Sequence, residues 1–223
     1  MPQTVNSAVY QTVDIIQQSL ESGKKLIMQE VLVGMKTLLV GQGLDIVWTA
    51  DGTTPSLDEY LQMIDGKTGA LFVMIYRLMM AASPDPAANI PLTRLMLLLG
   101  RHFQIRDDYV NIASPKYTES KGYCSDLDEG KCSFMVLHAI QNASPSSRSL
   151  LRNMLLQVRK SGSAGERHKE LMVSIMEEAG SLEFTAEMLL ELEKSILAEV
   201  EAIEEVTGIR NQALRDLLGA FRA

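Results

Sequence analysis

Cysteine is nearly missing from this chain: Cys124 and Cys132 are the only two in 223 residues. That excludes a disulfide framework, their spacing fits no zinc pattern, and two loop-flanking thiols suit a reducing compartment. Aromatic residues are scarce at 5% of the chain. No two-residue hairpin signal joins alternating runs, so sheets are disfavoured. Positive charge is also short, with 21 Lys and Arg against 28 Asp and Glu, a net charge of −7. A nucleic-acid surface needs clustered basic residues, so no nucleic-acid partner is expected. The amino terminus has no basic segment leading into an apolar one, which argues against a signal peptide. The most apolar stretch, Leu71 to Ala82, is interrupted by Arg77 and too short to span a bilayer. No membrane span and a cytoplasmic location are therefore expected. His102, His138 and His168 have no partners at ligand spacing, so none is expected to bind metal.

What the chain has is helical periodicity. Hydrophobic residues make up 46%, rich in Leu and with 13 Met, which serve either as adaptable core or as the lining of an apolar tunnel. Val9, Val13, Ile16 and Leu20 mark one face of a first helix over 6–20, stopped at Gly23. A second helix is predicted from about Lys24 to Val40, ending at Gly41-Gln42-Gly43. Ser56 with Glu59 reads as a capping box opening a short helix to Ile64. Further helices are predicted over 66–82, from Asn89 and Pro91 to Ala113, from Ser144-Pro145 to before Ser161, over 165–179, over 185–205 and from Asn211 to Leu218. Residues 114–130 read as a polar loop of a length usually kept for function. The fold class is all-α, a helical bundle, and residues 1–223 read as one domain.

One stretch concentrates chemistry: Phe103-Gln104-Ile105-Arg106-Asp107-Asp108-Tyr109-Val110-Asn111, followed by Lys121-Gly122 and Asp126-Leu127-Asp128-Glu129-Gly130-Lys131. Adjacent carboxylates repel unless a cation meets them. Asp107 and Asn111 lie four apart, on one helical face. Such oxygen ligands suit Mg²⁺, which binds one or two carboxylates and completes its shell with water and substrate phosphates. Lys121 and Lys131 add positive charge for phosphate oxygens. The competing reading is an exposed acidic step near a helix end.

Together with Gly41-Gln42-Gly43-Leu44-Asp45-Ile46-Val47-Trp48, Lys67-Thr68-Gly69 and Gly180-Ser181-Leu182-Glu183-Phe184-Thr185, these motifs resemble the fungal branch of trans-type isoprenyl diphosphate synthases. The pattern is most similar to geranylgeranyl diphosphate synthases and covers the chain in order. The resemblance implies an isoprenoid-synthase-type helical bundle and a prenyltransferase. Such an enzyme uses Mg²⁺ to condense an allylic diphosphate with isopentenyl diphosphate in terpenoid biosynthesis, and forms a homodimer or larger homo-oligomer. By the same resemblance Asp107, Asp108 and Asn111 would bind metal. Lys67, Thr68, Lys121 and Lys131 would hold the allylic diphosphate, with Asn111 a further contact. Gln104 and Phe103 would face the developing cation. Phe103 reads also as core, and Lys67-Thr68-Gly69 as a helix-capping sequence.

The chain departs from that family at its start. A first aspartate-rich motif, expected before the segment resembling Pro2 to Ala8, has no counterpart, and Asp14 is the only aspartate before Val40. The expectation is an amino-terminally incomplete bundle, the prenyltransferase part of a bifunctional terpene synthase, or a catalytically deficient partner subunit of an active synthase.

Overall fold

The computed structural model describes residues 2–84, 91–113 and 123–222, and every regular element among them is helical. α1 (Pro2–Glu21) packs on α2 (Lys25–Asp51). The sequence stops α2 near Gly41, but the helix runs on to a left-handed Gly52. Gly41 is there for closeness: a Cβ at this position would lie 2.3 Å from the Lys67 backbone nitrogen. The extra length makes α2 long and apolar enough to cross a membrane, by length and composition, where no such segment was expected. Its Glu30 and Asp45 pair with Arg77 and Lys67 of the following helices.

α3 (Leu57–Ile64) opens on Ser56 with the expected capping box, Ser56 and Glu59 satisfying each other's backbone amides. It does not stop before the next helix. A π-helical turn, Asp65–Gly69, joins it to α4 (Ala70–Ala82), with right-handed helical backbone at both junctions. Lys67-Thr68-Gly69 therefore sits within a continuous rod and not at a helix start. That turn is wedged between α2 at Gly41 and α5 (Thr93–Ala113) at Gly100, where a Cβ would lie 2.5 Å from the Gly69 Cα. Arg101 of α5 also grips Asp65 through two bonds of 2.6 Å. The predicted opening of α5 at Asn89 lies outside the described residues.

A four-residue α6 (Ser125–Asp128) leads to α7 (Phe134–Asn142), which the sequence reading did not anticipate. Six of the nine α7 residues are buried apolar side chains, and its polar residues, His138, Gln141 and Asn142, come only in its second half, too few to set a period over so short a run. α8 (Pro145–Ser161), α9 (Glu166–Glu178), α10 (Ser181–Thr207) and α11 (Gln212–Arg222) complete the bundle close to the predicted spans. α10 lies along α5, joining Leu95 and Leu99 to Ile196 and Val200. Phe134 stands at the centre, with ring centroids 5.8 Å from Tyr60 and 5.7 Å from Phe184. Such fully buried side chains contribute roughly 1.5–3 kcal/mol each.

The apolar face of α1 is bare. Val5, Val9, Val13 and Leu20 are each more than half exposed, as are Leu39 and Val40 of α2.

Candidate active site

The site begins at the π turn. A π turn carries one residue more than an α turn and re-aims the side chains within it. Here it presents Lys67 to α2 and Thr68 to α5. Lys67 donates to Asp45 at 2.5 Å, and the Thr68 hydroxyl donates to Gln104 Oε1 at 2.9 Å. Gln104 Nε2 in turn donates to Asp108 Oδ1 at 3.1 Å. Tyr60 then donates to Asp108 Oδ2 at 2.5 Å, and the Phe134 amide, at the start of α7, donates to the same oxygen at 3.2 Å.

Asp108 thus anchors a chain of hydrogen bonds from the core to Thr68. It is buried, and burial pushes its carboxyl up to about 6, against the pull of its Tyr60, Gln104 and Phe134 bonds. The Tyr60 hydroxyl is pushed well up by burial and by the Asp108 charge. Asn111 is also turned inward. Its Nδ2 donates to Ser125 Oγ at 2.8 Å and its Oδ1 accepts the Asp126 amide at 3.3 Å. Both carboxylate oxygens of Asp108 and both polar atoms of Asn111 are therefore engaged by protein.

Asp107, one turn beyond Phe103 and Gln104, is half-buried. Its charge reaches Asp126 on α6. Burial raises the Asp126 carboxyl, and the nearby charges of Asp107 and Glu129 add to this, despite the pull of Lys131. Lys131 meets Glu129 at 3.0 Å and Asp126 at 3.4 Å. Burial would lower that ammonium, but the two carboxylates outweigh it and push it up. Lys121 lies outside the described residues.

A groove of about 360 Å³ is lined by Gln42, Asp45, Glu129, Lys131 and Arg159. Asp45, which holds Lys67, and Lys131, which meets Asp126, both line it. Phe103 is 47% exposed, with its ring 6.2 Å from Phe72, so the core reading of that residue does not hold. Phe103 and Gln104 do not line the 440 Å³ groove between α2 and α4. There α5 contributes Thr93 and Leu97 instead.

Sequence reasoning gave Asp45, Asp126 and Tyr60 no role. The first two had a signal, since each lies in a run already singled out. Tyr60 had none, because its partner is 48 positions away.

Among the described residues no group of three or more His, Cys, Asp or Glu side chains forms a ready-made metal cage. Asp107 and Asp126, close enough for one charge to raise the other and with Lys131 on Asp126, suit a cation that takes few protein ligands and brings phosphate with it.

The polyprenyl synthetase family model matches residues 1–173. Geranylgeranyl pyrophosphate synthase A of Phomopsis amygdali is 48% identical over 220 residues, 98% of this chain and 57% of that protein. Geranylgeranyl pyrophosphate synthase 2 of Gibberella fujikuroi is 38% identical over 219 residues, 97% of this chain and 55% of its own length. Talaropentaene synthase of Talaromyces verruculosus is 41% identical over 218 residues, covering 98% of this chain and 32% of that protein. The chain thus spans about half the length of the two geranylgeranyl pyrophosphate synthases and a third of the third relative. A chain whose described elements are all helical, matched by that family model over most of its length and by relatives 38% and 48% identical, belongs to the polyprenyl synthetase family.

Proposed function

We propose that this chain is a prenyltransferase module that condenses an allylic diphosphate with isopentenyl diphosphate to give a longer prenyl diphosphate, geranylgeranyl diphosphate above all. The observation that supports this reading is the groove lined by Asp45, which holds Lys67, and by Lys131, which meets Asp126. Polyprenyl synthetases are generally Mg²⁺-dependent. Asp107 and Asp126 would hold the metal, whose charge would stabilise a departing diphosphate. Asp108 and Asn111, expected from the sequence as ligands, then act one step behind: Asp108 orients Gln104, and Asn111 holds the start of α6.

Lys67 and Lys131 would bind diphosphate oxygens, together with Lys121. Thr68 has a different part. Its single hydroxyl proton goes to Gln104, so towards a ligand its oxygen can only accept. That suits positive charge developing on carbon better than a phosphate oxygen. From Thr68 an apolar stripe runs along α4 through Ile75 and Met79, 50% and 68% exposed, and the ring of Phe72 on the same helix lies 6.2 Å from that of Phe103. Eleven residues of helix span about 16 Å, room for a prenyl tail whose every buried methylene contributes about 0.8 kcal/mol.

Isothermal titration with pyrophosphate and Mg²⁺ tests the site. Asp107→Ala is expected to weaken binding sharply, and Lys131→Ala to weaken it while lowering stability by about 1 kcal/mol. Affinity unchanged by Asp107→Ala removes the reading. The match to talaropentaene synthase over 32% of that protein favours a second context, in which the same module is one part of a longer terpene synthase. Self-association through the bare apolar face of α1 belongs to the same proposal.

A further inference from the structure

We propose that Lys169, on α9, is a positioning residue for diphosphate and metal binding, acting from behind the loop that carries Asp126 and Lys131. The proposal rests on the reading of the site given above.

Lys169 is only 7% exposed, although lysine is seldom buried without a partner. Its ammonium donates to Asp128 Oδ2 at 2.5 Å and to the Tyr123 carbonyl at 2.7 Å. The other oxygen of Asp128 accepts the Ala164 amide at 3.0 Å. Both oxygens of that carboxylate are thus committed to the back of the loop. One lysine holds the segment at two points, just before α6 and at its last residue.

Asp126 and Asp128 lie two apart on α6, and on a helix that spacing puts them on roughly opposite sides. Asp126 faces Lys131 and the charge of Asp107, while Asp128 faces Lys169. Between the anchors the chain passes through Cys124, a non-glycine residue in left-handed conformation with φ 47° and no solvent exposure. A backbone that L residues rarely adopt is held by its surroundings, and Lys169 binds the carbonyl immediately before it. On the front, Asn111 fixes Ser125 and the Asp126 amide. Removing Lys169 frees the Tyr123 carbonyl and one Asp128 oxygen and leaves the rear of α6 on the Ala164 amide alone, so that Asp126 and Lys131 lose their register against Asp107.

The test compares wild type, Lys169→Met, Lys169→Arg and Asp128→Asn. The readouts are titration with Mg²⁺ and inorganic pyrophosphate well below each melting temperature, and amide exchange of the ligand-free proteins. Lys169→Met is expected to weaken pyrophosphate binding by about tenfold or more, the usual scale for residues that orient a ligand set. It should also speed exchange at residues 123–131 while α7 stays protected. Lys169→Arg, which keeps the charge and two donors, should restore most of the affinity, an effect that a general loss of stability would not show. Should Lys169→Met fail to fold, Asp128→Asn carries the same expectations in milder form. Pyrophosphate affinity within twofold of wild type in the folded variant overturns the proposal. If wild type itself binds no pyrophosphate, the reading of the site fails, and unchanged exchange at 123–131 separately overturns the clamp.

Discussion

Replacing Asp108 by Asn should make the protein more stable at neutral pH, although it removes a residue with three hydrogen bonds. The Asp108 carboxyl stands at about 6, against an ordinary value of 3.8, chiefly because it is buried. Each tenfold change in proton affinity corresponds to about 1.4 kcal/mol, so keeping this group ionised at neutral pH costs the fold about 3 kcal/mol. Asn has nearly the same shape and no charge. Its oxygen can keep the Tyr60 and Phe134 bonds, and a reversed Gln104 amide can accept from its nitrogen. Neutral bonds are weaker than those to a carboxylate, which leaves a net gain of about 1–2 kcal/mol. The sign with pH follows from linkage. The folded-state value lies above the unfolded one, so the folded protein binds the proton first and the penalty disappears as pH falls from about 7 through 6 towards 4. Urea denaturation of both proteins across that range isolates the effect. Tyr60 and Asp126, the other titrating groups that act on Asp108, are present in both. The opposite trends of Glu59 and Glu204, whose carboxyls are held down by Ser56 and Arg215, cancel in the difference. A variant less stable than wild type at neutral pH, with a difference that does not change on acidification, would refute the reasoning.

Gly41→Ala would place a methyl group 2.3 Å from the Lys67 nitrogen, and should destabilise the chain by about 1–3 kcal/mol or more, read as a fall in melting temperature. Val9→Asp with Val13→Asp should shift sedimentation towards the monomer if α1 is the contact between copies, and an unchanged distribution would count against that surface. The chain has one pair of adjacent aspartates, Asp107-Asp108, and Asp14 is the only aspartate in its first forty residues. Since losing one electrostatic contact to a transition state commonly costs roughly 10²–10³-fold, radiolabelled isopentenyl diphosphate should be turned over very slowly by these 223 residues alone. Robust product formation by that polypeptide would contradict this.

Local signals carried most of the fold. Ser56 with Glu59 and Ser144 before Pro145 marked helix starts correctly, because a cap is chemistry between near neighbours. The same habit misled at Gly41, where the reason for glycine is a contact 26 positions away in the chain, with Lys67. α7 escaped because it opens on an unbroken buried apolar run, Phe134 to Leu137, with polar residues only in its second half, too short a pattern to set a period. In the site, spacing could place Asp107, Asp108 and Asn111 on one helix, but not tell which of them meets other protein groups. That is decided by Tyr60, Phe134 and Ser125, which arrive from other helices.

The π turn at Asp65–Gly69 also works as a phase shifter. Relative to an α-helix its surplus residue turns everything after it by about 100°. Upstream, Tyr60 keeps its hydroxyl on Asp108; Thr68 near the end of the turn, and Ile75 and Met79 beyond it, come round to a different side. Deleting a single residue from this turn would let the rod become a plain α-helix with every backbone bond intact. It would nonetheless rotate Phe72 away from Phe103 and turn the α4 stripe with it, so the shortened protein could keep its helix content and lose the alignment of its two halves.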